Sequence, residues 1–388
     1  MTVVEVTVPA ELRWDATAER QFREGLPYHL PGARLASIEA RLVRLECGET
    51  GAEALTAGAI ALLTTISRDL RDATEIVLFE RPAPPLSWLA DPTEALLREG
   101  ALRWAGPARF VYAGKFAHLM NRLDHFLGEY ASSSGAEPEA YPTTVATRTL
   151  MQCGYLRAFP QHALFVAPAA LSAESLHAMG VIDFVGKIGE APARLAEHSQ
   201  VLAPTVCYPC FESLNGARMA GFRQITAVNV CHRHEILAND KLDRLQTFRM
   251  RELIGFGSDV EVLGMLDRGL EWTSTALSRW GVAHRAVTAT DAFFAGASGN
   301  KQFFQAAFAL KRELQIQVGD ARWLAVASFN HHQKSLTRAF DIAAVANPLS
   351  SGCIGWGYER LLFGMFAHFG VDLARWPAPL LDDLDLPR

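Results

Sequence analysis

Two short stretches of this sequence combine residue types that can handle charge on a small molecule. Arg233-His234-Glu235 is followed, after a loop, by Phe248-Arg249-Met250-Arg251-Glu252. If the two flanks are strands of one hairpin, period-two alternation puts Arg233 and Glu235 on one face, and Phe248 and Glu252 on one face of the partner strand. An arginine that grips phosphate, a carboxylate that accepts from an exocyclic amine and a ring that stacks on a purine would form a nucleotide platform. A salt-bridged hairpin with a core phenylalanine fits the same pattern. The second stretch is Gly355-Trp356-Gly357-Tyr358-Glu359-Arg360. Its sixth position is Arg rather than Gly and it lies near the end of the chain, so it is a poor dinucleotide loop. The apolar spacing of Leu361, Leu362, Met365, Phe366 and Phe369 predicts a helix from about Gly357. Arg360 then sits in its first turn, where a guanidinium beside a positive helix end suits a polyphosphate. An ordinary Gly-rich helix start with a surface arginine is the plainer alternative.

In this order, Arg-x-Glu, a loop, Phe-x-x-x-Glu and then Gly-x-Gly-x-x-Arg resemble motifs 2 and 3 of the class II aminoacyl-tRNA synthetases. Tyr141-Pro142 is similar to the motif 1 proline, which implies a homodimer. The six cysteines are scattered and make no disulfide framework. Cys207-Tyr208-Pro209-Cys210 is half a zinc knuckle, but no second Cys-x-x-Cys completes it. A three-ligand site must therefore be gathered from separate strands, with Cys207, Glu252 and Cys353 as candidates. That set resembles the Cys/Glu/Cys zinc centre of the atypical seryl-tRNA synthetases of methanogens and of their truncated bacterial relatives, the amino acid:[carrier protein] ligases. Tyr155–Pro160, Cys207–Pro209, Thr290–Phe294, Leu310–Leu314 and Ser328–Gln333 resemble stretches of those ligases. Two rival metal readings stay open: Cys210 in place of Cys207, and a Cys/His/His set drawing on His232, His234, His331 or His332.

The resemblance implies ATP and Mg²⁺ as well as Zn²⁺. Arg233 would hold the α-phosphate and Arg360 the γ-phosphate, Glu235 would accept from the adenine amine, and Phe248 would stack on the ring. Seryl enzymes of this class carry a Glu shortly before the position of Ser328. Here that neighbourhood is Ala325-Val326-Ala327, which leaves Glu313 as the candidate acid for magnesium. Asn330 and Gln333 are candidates to line the substrate pocket, or else structural amides.

The elements that must position these residues follow from pattern. The expected fold is α+β, a class II synthetase catalytic domain at 105–388 (antiparallel sheet flanked by helices) behind a small N-terminal α/β accessory domain at 1–104. Helices are expected at Leu35–Leu42, Ala54–Leu70, Thr93–Gly100, Phe116–Tyr130, Val260–Trp280, Asn300–Arg312 and Tyr358–Phe369. Strands are expected at Val3–Val8 and Ile76–Phe79, with a Pro-rich turn at Arg81–Pro85 and a surface loop at Ala131–Glu139.

Composition bounds the rest. The chain has 388 residues, 49% hydrophobic and 20% charged, with a net charge of −5, which excludes a disordered chain and an overall basic field for nucleic acid. Residues 1–104 hold 11 Arg and no Lys against 16 acids, so that segment carries the whole acidic excess. No apolar run is long enough to span a membrane and no signal peptide is read, so a cytoplasmic protein without membrane contact is expected. A tRNA-charging enzyme needs a positive surface for a long phosphate backbone, and no basic arm is present in that segment. The expected activity is therefore activation of a small amino acid as its adenylate and transfer to the phosphopantetheine thiol of a holo carrier protein, without tRNA. The alternatives are tRNA aminoacylation and a catalytically silent paralogue that binds an amino acid or nucleotide.

Overall fold

The computed structural model describes residues 2–47, 51–69, 76–83, 91–168, 172–173, 199–235, 241–289, 311–345 and 349–387. A small unit opens the chain. Strands β1 (Thr2–Thr7), β2 (Arg34–Glu39) and β3 (Leu42–Cys47) form an antiparallel sheet in the order β1-β3-β2, covered by helices α1 (Ala16–His29) and α2 (Ala52–Asp69). Its core is its own: Val4, Val6, Val43 and Leu45 from the sheet meet Phe22, Leu26, Leu55, Leu62 and Ile66 from the helices. The helix expected at Leu35–Leu42 is instead the β2–β3 hairpin. Ala40, at φ 53°, turns the chain there, and Val43 and Leu45 alternate inward with period two, so the apolar residues serve a sheet face.

The main body is an eight-stranded sheet with strands β4 (Val77–Arg81), β5 (Glu137–Pro138), β6 (Arg223–His232), β7 (Thr247–Gly257), β8 (His284–Thr288), β9 (Lys311–Gly319), β10 (Arg322–Gln333) and β11 (Ser350–Gly357). Their order is β4-β8-β9-β10-β11-β7-β6-β5. Every neighbouring pair is antiparallel except β5–β6. One face is packed by helices α3 (Pro92–Arg98), α4 (Gly114–Ser133), α5 (Asp259–Trp280) and α6 (Tyr358–Phe369), burying Leu253, Phe329, Ile354 and Trp356 against Leu123, Leu266, Leu270 and Phe366.

The boundary expected at residue 104 does not coincide with where the packing changes. β4 pairs with β8, and Leu96, Ala101 and Leu102 lie in the large core, so these parts of residues 1–104 pack with the main body. The loop expected at Ala131–Glu139 is shorter: α4 runs to Ser133, and Glu137–Pro138 adds an edge strand. Of the helix expected at Asn300–Arg312, Lys311 and Arg312 are strand; the remainder, like Thr290–Phe294, lies outside the described residues. None of the helices described is long and apolar enough to cross a membrane.

Candidate active site

Register brings the candidate residues onto one face of the sheet. Across β9, β10, β11 and β7, Glu313 opposes Ser328, Ser328 opposes Gly355 and Gly355 opposes Glu252. Two residues along each strand, Lys311 opposes Asn330, Asn330 opposes Cys353 and Cys353 opposes Ile254. Alternation makes both rows point away from the helices. Phe248 and Met250 continue the same face of β7. Gly355 keeps the floor between the rows open: a Cβ there would lie 3.1 Å from Met250 Sδ, 3.4 Å from Ser328 Oγ and 3.7 Å from Glu252 Cγ.

Two adjoining pockets occupy this face. The first is lined by Arg233, Glu235, Arg244, Phe248, Glu313, Gly357 and Arg360 among others. Arg233 follows the end of β6, held where its backbone N–H bonds Gln246 O at 2.9 Å. Its Nε donates to Pro204 O at 3.0 Å, and its guanidinium lies 5.2 Å from the Phe248 ring centre. A purine stacking on that face of Phe248 therefore requires Arg233 to swing aside. Burial raises the Glu235 carboxyl, but the charges of Arg244, His162 and Arg233 outweigh it and hold it below the usual range. Arg244 pairs with it at 2.8 Å. Arg360 is fixed by Asp243 O at 2.8 Å and Ala325 O at 3.2 Å, and burial lowers its pKa. Glu313 pairs with Lys311 at 2.9 Å. The carboxylate missing next to Ser328 along the chain is thus present beside it across the sheet.

The second pocket, about 1040 Å³, is lined by Cys207, Glu252, Cys353, Thr205, Tyr155, Tyr208, Asn330, His331, His332 and Gln333 among others, and it shares Arg233, Met250, Lys311 and Ser328 with the first. Cys207 enters it from the helix Cys207–Ser213. One donor atom each from Cys207, Glu252 and Cys353 lie within 4.8 Å of one another, and all three residues are buried. Thr205 Oγ1 and the Val206 backbone N–H both donate to Glu252 Oε1, the latter at 3.2 Å, while Oε2 is buried without a hydrogen-bond partner among the described residues. Asn330 Nδ2 lies 3.6 Å from Cys353 Sγ and 3.2 Å from Ser328 Oγ. The Cys353 contact and burial push the Cys207 thiol up, and burial pushes up Glu252. For Cys353, the contact with Cys207 works downward, but burial and the Glu252 charge outweigh it. Three groups driven toward their neutral forms, with a carboxylate oxygen left orphaned, match a site that a thiophilic divalent cation would complete.

The rival metal sets do not assemble among the described residues. Cys210 is buried in the apolar cluster of Phe211 and Phe256. His331 Nε2 contacts Ser350 at 2.9 Å and Asp259 at 3.1 Å, and His232 contacts Thr247 at 3.2 Å. His332 comes nearest, its Nε2 3.5 Å from Cys353 Sγ, and burial pushes its pKa to about 3. Gln333 is exposed at the pocket rim with φ 51°, just after a register shift in β10.

Sequence reasoning missed Thr205, Lys311 and Glu359. Glu359 lines the nucleotide-side pocket and accepts from the Arg249 backbone N–H at 2.9 and 3.0 Å and from Tyr112 at 3.1 Å; burial pushes it up to about 7. Its place inside the Gly-x-Gly-x-x-Arg motif was the available signal. Thr205, two residues before Cys207, offered none.

No model of a protein family matches the sequence. Two curated proteins of Bradyrhizobium diazoefficiens do. One is named amino acid–[acyl-carrier-protein] ligase 1, 26% identical over 302 residues, which is 77% of this chain and 91% of that protein. The other is ligase 2 of the same name, 28% identical over 312 residues, 79% of this chain and 90% of that protein. Among solved structures, the M. kandleri seryl-tRNA synthetase in complex with A. aeolicus tRNASec superposes with a TM-score of 0.72 at 20% identity, over 98% of this chain and 77% of that one. The chain thus has homologues among these ligases, and its catalytic fold is that of the class II synthetases.

Proposed function

We propose that the protein activates a small amino acid with ATP and passes it to the phosphopantetheine thiol of a holo carrier protein. The observation that carries this reading is the shared wall of Arg233, Met250, Lys311 and Ser328 between a pocket fit for a nucleotide and a cavity floored by Cys207, Glu252 and Cys353. The homologues named as carrier-protein ligases supply the acceptor.

In the first step an amino-acid carboxylate oxygen attacks the α-phosphorus, the bond to the bridging oxygen breaks, and pyrophosphate leaves. Positioning and charge do most of this work. Arg233 holds the α-phosphate, Arg360 the γ-phosphate, Glu235 the adenine amine, and Phe248 the ring face. Glu313 serves magnesium in place of the acid absent before Ser328. Cys207, Glu252 and Cys353 hold zinc, whose chemistry when bound is a free coordination position for an unprotonated α-amino group. Asn330 and Gln333 belong to the substrate cavity, Asn330 at its floor and Gln333 at its rim. In the second step the acceptor thiol attacks the carbonyl carbon of the mixed anhydride, AMP leaves, and a thioester forms. Nucleotide and amino acid lie in adjoining pockets, and the amino-acid cavity, at about 1040 Å³, has room beside a small amino acid for the thiol arm. We further take the active form to be a homodimer, on the Tyr141-Pro142 match, and residues 1–104 to include an accessory domain.

Pyrophosphate exchange over a panel of amino acids tests the first step. Incubation with ATP, the activated amino acid and either acceptor tests the second. A mass shift on a holo carrier supports the reading; charged tRNA with an unmodified carrier overturns it. Cys353→Ser is expected to lose zinc and activity together, and full zinc occupancy in that variant would remove the metal assignment. A tRNA acceptor is the second reading, favoured by the one observation that the likeness to the M. kandleri enzyme extends over 98% of this chain, including its N-terminal unit.

A further inference from the structure

We propose that Thr205 is a positioning residue that restricts Glu252 to one metal-binding oxygen and so keeps a coordination position open for the substrate's amino group. The inference rests on the zinc reading above and goes beyond it, because it assigns the control of coordination number to a side chain outside the ligand trio.

Cys207 and Cys353 each bring a single donor atom, so their contribution to the ion is invariant. Glu252 is the ligand with a spare donor. A carboxylate with both oxygens unrestrained can close on a cation through both, and the second oxygen would then take space that an incoming amine needs. Here the two oxygens are not equivalent. Oε1 accepts from the Thr205 hydroxyl and from the Val206 backbone N–H at 3.2 Å, whereas Oε2 is buried with no hydrogen-bond partner among the described residues. Oε1 is therefore engaged by two donors and Oε2 is the atom left for a cation. The Thr205 hydroxyl oxygen also lies 3.7 Å from Cys207 Sγ, so one side chain touches two of the three ligands. Cys353 is oriented separately, by Asn330 and His332. Removing the Thr205 hydroxyl leaves only the longer backbone contact on Oε1 and frees the carboxylate to rotate. Outer partners of metal ligands typically change metal affinity or activity about 10–100-fold when removed.

Cobalt(II) in place of zinc makes this visible, because its absorption responds to the donors around it. In the wild-type protein, titration with glycine, alanine or serine without ATP is expected to shift the cobalt spectrum as the amine binds. In Thr205→Val the same shift should need amino-acid concentrations about 10–100-fold higher, with the amino-acid KM for pyrophosphate exchange rising in parallel and the ATP KM unchanged. Thr205→Ser, which restores the hydroxyl, should return the wild-type titration. A Thr205→Val protein with the wild-type titration and KM overturns the inference while leaving the zinc reading in place. Absence of any cobalt–thiolate absorption in the wild type overturns both. Should Thr205→Val fail to fold, Thr205→Ala, which adds no bulk, carries the same test.

Discussion

Arg233 and Arg360 illustrate how one residue type is put to different uses by its partners. Arg360 is fixed by two main-chain carbonyls, Asp243 O and Ala325 O, and among the described residues it makes no direct carboxylate contact, which leaves its charge available to a polyphosphate. Arg233 rests on Phe248 and on Pro204 O, an arrangement that a nucleotide would rearrange. Each of Arg233→Ala and Arg360→Ala is expected to lower pyrophosphate exchange by on the order of 10²–10³ with the fold intact, checked by exchange kinetics beside circular dichroism. Normal exchange in either variant would make the motif match accidental. Glu359 offers a different test. Its folded pKa, about 7, stands above the ordinary 4.5 because the carboxyl is buried. The folded state therefore holds this proton where the unfolded chain has released it, and stability from this group is present at low pH and falls as pH rises from about 4.5 to about 7. In Glu359→Gln that part of the slope should vanish, measured as the urea midpoint against pH; an unchanged slope would mean another group titrates in that window.

At the scale of elements, α5 shows how local chemistry sets the frame behind the site. Ser258 caps it in a reciprocal capping box with Glu261, and Gly281, at φ 78°, ends it. The Ser258 side chain accepts from the Glu261 backbone N–H at 3.3 Å, and Glu261 Oε2 accepts from the Ser258 N–H at 2.8 Å. Ser258→Ala should cost roughly 1 kcal/mol of stability and leave the amino-acid KM unchanged, since neither Ser258 nor Glu261 lines either pocket, although Asp259 beside them lines the larger one. Denaturant unfolding checks the first part and exchange kinetics the second. The hairpin β2–β3 shows the opposite case: apolar residues there fit a helical spacing loosely and a strand alternation better, and only pairing with β1 selects between them.

For the whole molecule, the separation of cores predicts the result of truncation. The buried residues of the N-terminal unit run from Val4 to Ile66 and pack with one another, while both pockets are lined by residues from Cys153 onward. Removing residues 1–69 is therefore expected to leave pyrophosphate exchange at its full-length rate. A large loss of exchange in a folded truncated protein would show that the unit supports the site in a way its packing does not reveal.

Part of the candidate site was legible before any folding. Phe248, Glu252 and Gly355 share the face that strand alternation assigns them, because period-two geometry is a local property of the backbone; Arg233 and Glu235, expected on a hairpin strand, instead follow the end of β6 at His232, and Arg360 lies in the first turn of α6. The long helices α5 and α6 were legible for the same reason, their caps and apolar stripes being written within a few residues of one another. The meeting of Cys207, Glu252 and Cys353 was of another kind. Their closeness depends on β7 and β11 pairing in one register and on the Cys207 helix packing over them, and a slip of one residue would turn Glu252 to the helix face. Thr205 on Glu252 Oε1, Glu313 beside Ser328 and the buried state of Glu359 likewise exist only once distant strands are paired. Local pattern determined which residues could do the chemistry; long-range register decided which atoms face each other, because hydrogen-bond pairing between strands far apart in sequence is set by the packing of the whole sheet.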